Sequence, residues 1–333
     1  METSQKASTQ GTIDRNHGDE ETKFLEEAKK FDKAVKPHPH LFIDMNYHAP
    51  APDEALIQAN RFILVRHGVT EFNKVFSDIV GDFGFESEQF KLMKVDDRYI
   101  DIELRPEGVK QCEVAQEHAN KIKVRYIMVS QMVRACQTAI HIFKNHPDKE
   151  DIKFLVIPLV KEGLNCSNDK CGTYERMRSI LDPLIKETGV HFDWSLMHTF
   201  GVPDLIQIKV TTQLERLQEM YEYINPDIER CTDTGYTKHF LKISYDKFPY
   251  RMEGPYEMYE RGLQFRIFLK HFMSQLHLED DDKIAIVSHS SFLASLSSKG
   301  FNHQTKQLIE PAHMYNCEFV PWQTFELEDA PQH

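Results

Sequence analysis

Short apolar runs rich in branched residues punctuate the chain at Phe62 to Val65, Tyr126 to Val129, Phe154 to Pro158 and Lys283 to Ser288. Runs of this length read as buried strands. Between them the apolar spacing becomes helical. Pro106 opens a helix to about Ile122, with Val109, Cys112 and Ala115 on one face. A helix carrying Arg134 follows the second run, and further helices are predicted at Glu20–Val35, Thr173–Ile185 and Thr212–Ile224. Tyr256 to His277 has a broad apolar face of Met258, Leu263, Phe265, Ile267, Phe268, Leu269 and Phe272. Phe76 to Tyr99 carries Gly81, Gly84 and many acids, and predicts a long loop bordering an active site. Tyr315 to Val320 predicts a last strand at the sheet edge.

A chain of 333 residues, 41% hydrophobic and 28% charged, is ordinary for a soluble globular protein with a large core. Residues 1–22 are polar and read as a disordered tail. Residues 23–58 form an N-terminal arm; its His38, His40 and His48 lack the carboxylates or cysteines of a metal site. The polar start carries no secretory signal and no run is long enough to span a bilayer, so the expected location is the cytosol, with no membrane partner. A net charge of −12 argues against nucleic acid as a partner. The six cysteines show no paired C-x-x-C spacing; Cys166 and Cys171 lack a second pair, and reduced thiols are expected. Asp280-Asp281-Asp282 reads as a solvated turn rather than a magnesium site. Composition leaves the oligomeric state open.

The first strand stops at Arg66-His67-Gly68, with Thr70 and Asn73 following. Chemistry in open α/β sheets sits just past the carboxyl ends of strands. Gly68 lets a ligand approach the backbone. The set suits a phosphate: an arginine fork, neutral donors in Thr70 and Asn73, and an imidazole able to act as nucleophile. An isolated Arg-His-Gly is as often an ordinary turn. Arg134 and His289 also come just beyond strand ends, though Arg134 alone would read as a solvated helix charge.

Taken together these blocks resemble the histidine phosphatase superfamily, the phosphoglycerate-mutase-like proteins. Arg66-His67-Gly68-Val69-Thr70-Glu71-Phe72-Asn73 is similar to the family's Arg-His-Gly-x-Thr/Ser-x-x-Asn. Asp101-Ile102-Glu103-Leu104-Arg105-Pro106-Glu107-Gly108 is similar to Asp-x-x-Leu-Thr-x-x-Gly, and Ser130 to Ala139 to Ser-x-x-x-Arg-Ala-x-Gln-Thr-Ala. Val287-Ser288-His289-Ser290 matches the late histidine motif.

The resemblance implies a three-layer α/β/α sandwich around a mostly parallel sheet, occupying residues 59–330 with an insertion or lid at about 165–255. Trp194, Tyr221, Tyr223, Tyr236 and Tyr250 in that stretch read as core residues before ligand contacts. It implies a phosphomonoester hydrolase working through a phosphohistidine on His67, without metal or other cofactor. Arg66, Thr70, Asn73, Arg134 and His289 would hold the phosphate, and Glu162 would protonate the leaving group. The substrate is a phosphorylated small molecule or a phosphoprotein. Mutases of the family follow this acid with a tyrosine- and glycine-rich motif; here Gly163 to Lys170 replaces it, which favours hydrolysis. The rival readings are a mutase-type phosphotransferase and a catalytically silent scaffold with this fold.

Overall fold

The computed structural model describes residues 49–172, 174–196 and 253–323. The expected tail, the helices over Glu20–Val35 and Thr212–Ile224, the arm histidines His38, His40 and His48, and Tyr221, Tyr223, Tyr236 and Tyr250 lie outside the described residues. The elements begin with α1 (Glu54–Ala59), β1 (Phe62–Arg66), α2 (Glu71–Phe83), α3 (Glu88–Lys94) and α4 (Pro106–Ala119). Next come β2 (Val124–Val129), α5 (Val133–Phe143), β3 (Lys153–Val156), α6 (Tyr174–Thr188) and β4 (Phe192–Asp193). The remainder is α7 (Pro255–Ser274), β5 (Lys283–Ser288), α8 (Ser290–Ser297), β6 (Gly300–Asn302), β7 (Gln307–Ile309) and β8 (Phe319–Trp322).

Six strands form one sheet in the order β4-β3-β2-β5-β1-β8, parallel except for the edge strand β8. Successive residues of a strand face opposite sides, and here both sides are covered. Ile63 and Val65 join a cluster with residues of α4, α5 and α6; Phe62 and Leu64 join another with residues of α7 and α8. A strand buried on both faces needs no polar positions, which is why these runs show no alternation. The expected three-layer sandwich is what the chain forms.

Several local expectations are corrected. Residues 76–99 form α2 and α3 rather than a loop. Gly84, at φ 80°, ends α2, and the Ser87 hydroxyl caps α3 by accepting the Phe90 N–H at 3.1 Å. The glycine and serine punctuate two helices that bury Phe72, Phe90 and Met93 in a separate small cluster. The third strand stops at Val156, because Pro158 opens a 3-10 turn. The helix expected at Thr173–Ile185 is α6, the edge strand β4 follows it, and Trp194 packs against the core as expected. The last strand of the main sheet starts at Phe319, four residues late, and pairs antiparallel with β1.

Helix α7 also differs from its expected face. Leu263 and Ile267 are half-buried, whereas Glu260, Arg261 and Arg266 are buried. Arg266 donates to the Leu296 and Ser298 carbonyls at the end of α8, which suits a cation. Asp282 is not solvated: it is 3% exposed and meets Lys123 at 3.1 Å and Arg125 at 3.2 Å. No helix among the described residues is long and apolar enough to cross a membrane.

One close approach fixes the loop after β1. A Cβ on Gly108 of α4 would sit 2.3 Å from the Val69 carbonyl oxygen, and one on Gly68 would sit 2.8 Å from the Gly108 oxygen. The loop therefore lies on α4 backbone to backbone. Gly81 in α2 has nothing within 4 Å of such a Cβ. Glycine in a helix costs about 1 kcal/mol relative to alanine. We predict that Gly81→Ala raises the melting temperature slightly. Gly108→Ala should lower it despite the same helix gain, because a contact with backbone cannot relax cheaply. Equal shifts in thermal unfolding would sink this account.

Candidate active site

The register of β1 on β5 assembles the site. Arg66 pairs with Ser288, so the next residues, His67 and His289, emerge side by side with ring centroids 5.1 Å apart. The His67 N–H continues the ladder to the Ser288 carbonyl at 2.9 Å. β2 ends beside β5 in the same way, Val129 opposite Val287, and delivers Ser130, whose Oγ lies 2.8 Å from His289 Nε2. The loop of Arg66 to Thr70 is then pinned by side chains of α4 and α5. Gly68 N–H donates to Thr138 Oγ1 at 2.9 Å and Val69 N–H to Gln111 Oε1 at 3.0 Å. Asn316 holds the His67 carbonyl at 2.6 Å.

His67 is 4% exposed. Its Nδ1 lies 2.7 Å from the Gly68 carbonyl oxygen. A carbonyl only accepts, so the network places the ring proton on Nδ1 and leaves the lone pair on Nε2. Burial, then the charges of Arg134 and Arg66, hold this imidazole well below the ordinary value of 6.5. It is a neutral base at neutral pH, the form a nucleophile needs. His289 is depressed in the same direction, first by burial and then by Arg134 and His67. Ser130 Oγ already accepts the Met132 N–H at 3.3 Å. His289 Nδ1 is buried without a partner.

Two arginines complete the cationic set. Arg66 donates through Nη1 to the Met314 carbonyl at 3.0 Å, and burial lowers its pKa to about 10, so it stays charged. Arg134 donates through Nη1 to the Asn168 carbonyl at 2.8 Å, with Nη2 3.5 Å from Asp169 Oδ1. The Nε of each is buried without a partner. An unmet buried donor costs about 1–3 kcal/mol, so these two guanidinium nitrogens are suited to acceptor oxygens.

Glu162, also buried, is held at the start of α8. Its Oε1 accepts Gly163 N–H at 2.9 Å and Phe292 N–H at 3.0 Å; its Oε2 accepts Ser291 N–H at 3.1 Å. Oε2, with one contact, is the oxygen left with a lone pair for a proton. Thr70 and Asn73, expected to assist in holding a phosphate, make a local contact with each other. The Thr70 hydroxyl donates to Asn73 Oδ1 at 2.9 Å and the two side chains cap α2 reciprocally. Their visible contacts are structural.

Residues 161–171 contribute what the sequence did not signal. Lys161 is buried and donates to the Glu162 and Asp169 carbonyls at 2.9 and 3.1 Å. Asp169 Oδ2 accepts the Asn165 and Cys166 N–H groups at 3.1 and 2.9 Å. Burial and the nearby Glu162 charge push its pKa up to about 6, against the pull of Arg134 and Lys161. Ser130, Gln137 and Thr138 stood in a recognised motif without an assigned role; a polar residue directly after a buried strand was the available clue. Nothing in the local pattern pointed to Asn316. The acids Glu279, Asp281 and Asp282 cluster before the amino end of β5, away from the strand ends that carry the site, and Lys123 pairs with all three.

Comparison with known proteins agrees with the motif reading. Residues 62–154 match the model of the histidine phosphatase superfamily, branch 1. That span includes Arg66, His67 and Arg134, while Glu162 and His289 lie beyond it. No curated protein matches the chain significantly. Among solved structures, mycobacterial hydrolase 1 is 14% identical with a TM-score of 0.40, over 78% of this chain and 87% of its own. A mycobacterial glucosyl-3-phosphoglycerate phosphatase in complex with VO3 is 15% identical with a TM-score of 0.39, over 78% of this chain and 90% of its own.

The depressed histidines make stability depend on pH. Their folded pKa values lie below the unfolded ones, so the stabilisation is present above about 6.5 and is lost as pH falls below it. Asp169, raised in the fold, works in the opposite direction. We predict a falling melting temperature between about pH 7 and about pH 5, with a shallower slope in His289→Gln, which removes one of the two groups. Identical slopes in the two proteins would refute the assignment for His289.

Proposed function

We propose that this chain, which resembles the histidine phosphatase superfamily over its first three strands, is a metal-independent phosphomonoester hydrolase acting through a phosphohistidine. The observation that carries the reading is a neutral buried imidazole beside His289 and acted on by two arginines, each with a buried Nε that has no partner. A phosphoryl group offers three equatorial oxygens with spread charge, and phosphoryl transfer depends mostly on positioning and charge stabilisation. His67 Nε2 attacks phosphorus, and the ester oxygen departs with a proton from Glu162. Water then attacks the phosphohistidine while Glu162 takes its proton back. Two guanidinium groups supply the positive charge that a metal provides in other phosphatases.

We predict that His67→Ala abolishes turnover with little change in thermal unfolding. Wild-type enzyme quenched during turnover should carry phosphate labile to acid and stable to alkali. Vanadate should inhibit and EDTA should not; loss on chelation restored by magnesium would point to other chemistry. Incubation with a bisphosphate and analysis of products separates hydrolysis from transfer to a second acceptor.

Glu162 has a sharper test. An alkyl alkoxide cannot leave without a proton, whereas p-nitrophenolate can. Glu162→Gln should slow enzyme phosphorylation about 10²-fold or more with an alkyl phosphate, and much less with p-nitrophenyl phosphate, in rapid-quench measurements of the first step. Equal slowing would move the acid role to another carboxyl, with Asp169 next in line.

A further inference from the structure

Arg261 and Glu253 form an ion pair that the chemistry above does not use. Arg261 is fully buried, at 0% exposure. Its Nε and Nη2 donate to Glu253 Oε1 and Oε2 at 2.7 and 2.8 Å, a bidentate fork. Its remaining nitrogen, Nη1, donates to the Leu159 and Lys161 carbonyls at 2.8 and 2.6 Å. Glu253 reaches the other side of the same segment: its N–H donates to the Leu164 carbonyl at 3.0 Å, and its Oε2 accepts the Leu164 N–H at 3.4 Å. The pair therefore grips residues 159, 161 and 164, on both flanks of Glu162.

A further contact reaches the carboxyl itself. The Arg261 guanidinium lies over the Phe292 ring, 4.7 Å from its centroid, and the Phe292 N–H holds Glu162 Oε1 at 3.0 Å. One guanidinium thus touches the backbone that carries Glu162 and the residue whose amide receives its side chain. A buried ion pair contributes little net stability compared with apolar residues of similar volume. The energetic case for keeping this one is weak, and a geometric case takes its place.

We propose that Arg261 and Glu253 are positioning residues that aim the Glu162 carboxyl at the leaving-group oxygen. The inference rests on Glu162 being the acid of the reaction proposed above. A carboxyl that must reach a reacting oxygen tolerates little displacement, since misplacement of about 1 Å can cost 10²-fold in rate. Of the groups that would hold the phosphate, Arg66 and Arg134 are on other segments, while His289 stands at the N-cap of α8, which Arg261 touches through Phe292. Disturbing the pair should therefore lower kcat more than it changes KM.

The test compares five variants of the full chain: Glu162→Gln, Glu253→Gln, Arg261→Met, the double variant Glu253→Gln/Arg261→Met, and that double with Glu162→Gln added. The single Arg261 change leaves a buried carboxylate unpaired and can unfold the protein; the double variant removes both charges and keeps the volume. Enzyme phosphorylation is followed by rapid quench with an alkyl phosphate and with p-nitrophenyl phosphate, per folded active site. The expected result is a fall of about 10²-fold for the alkyl ester and under about 10-fold for the nitrophenyl ester in the double variant. Adding Glu162→Gln to the double variant should then slow the alkyl reaction no further. A purely structural pair would lower the melting temperature but leave both rates per folded site equal to wild type, and that result overturns the proposal. If Glu162→Gln itself shows no dependence on the leaving group, the acid assignment fails first and takes this inference with it. A leaving-group effect in Glu162→Gln alone rejects the positioning role while keeping the acid.

Discussion

Parallel pairing of β1 with β5 is the constraint on which the site depends. It fixes Arg66 opposite Ser288, and everything that follows is set by the next residue on each strand. A slip of one residue would send the alternating sets of β1 to the wrong layers, exposing none of its apolar side chains to water but exchanging two unlike cores. Burial on both faces therefore specifies the register, and the register places two imidazoles beside one another. The Gly68–Gly108 contact then presses the loop onto α4, and Thr138 and Gln111 satisfy its backbone.

Electrostatics explains why so many polar groups are buried at these strand ends. Arg66, Arg134 and Lys161 bring positive charge into a region that also holds Glu162 and Asp169. Taking single charges out of water is expensive unless they are paired or hydrogen-bonded. Here most are met by main-chain groups: carbonyls for Arg134 and Lys161, amides for Glu162 and Asp169. Among the buried polar atoms left without a partner are the Nε of Arg66 and of Arg134 and the Nδ1 of His289. Burial first, and then neighbouring cations, hold both His67 and His289 below the ordinary imidazole value. Clusters that are only partly satisfied among otherwise well-paired groups mark functional sites more often than packing defects.

The segment from Leu159 to Cys171 joins these two themes. It carries Glu162, presents the Asn168 carbonyl to Arg134, and is tied by Ser167 to Asp96 and by Lys170 to Asp97. Those last contacts reach the region of α2 and α3 that the sequence suggested was loop. Helices there form a small aromatic cluster with Cys166 at its edge. The departure from the mutase pattern at Gly163 to Lys170 thus corresponds to a buried wall of the site.

The sequence by itself determined the layered fold and which polar residues stand just past the strand ends. Continuous branched runs have one stable use, strands covered on both faces, and the residues just past their ends are the ones a sheet presents to a ligand. Arg66, His67, Arg134 and His289 were legible for that reason. Local pattern could not tell that Thr70 and Asn73 would cap α2 reciprocally. Nor could it show that Asp169 would sit beside Arg134, or that Arg261 and Glu253 would hold the Glu162 segment. Those outcomes depend on contacts between residues far apart in the chain, such as Arg261 with Leu159 and Asn316 with His67. Spacing along the chain encodes a side chain's face; which partner waits across that face is decided by how the layers close.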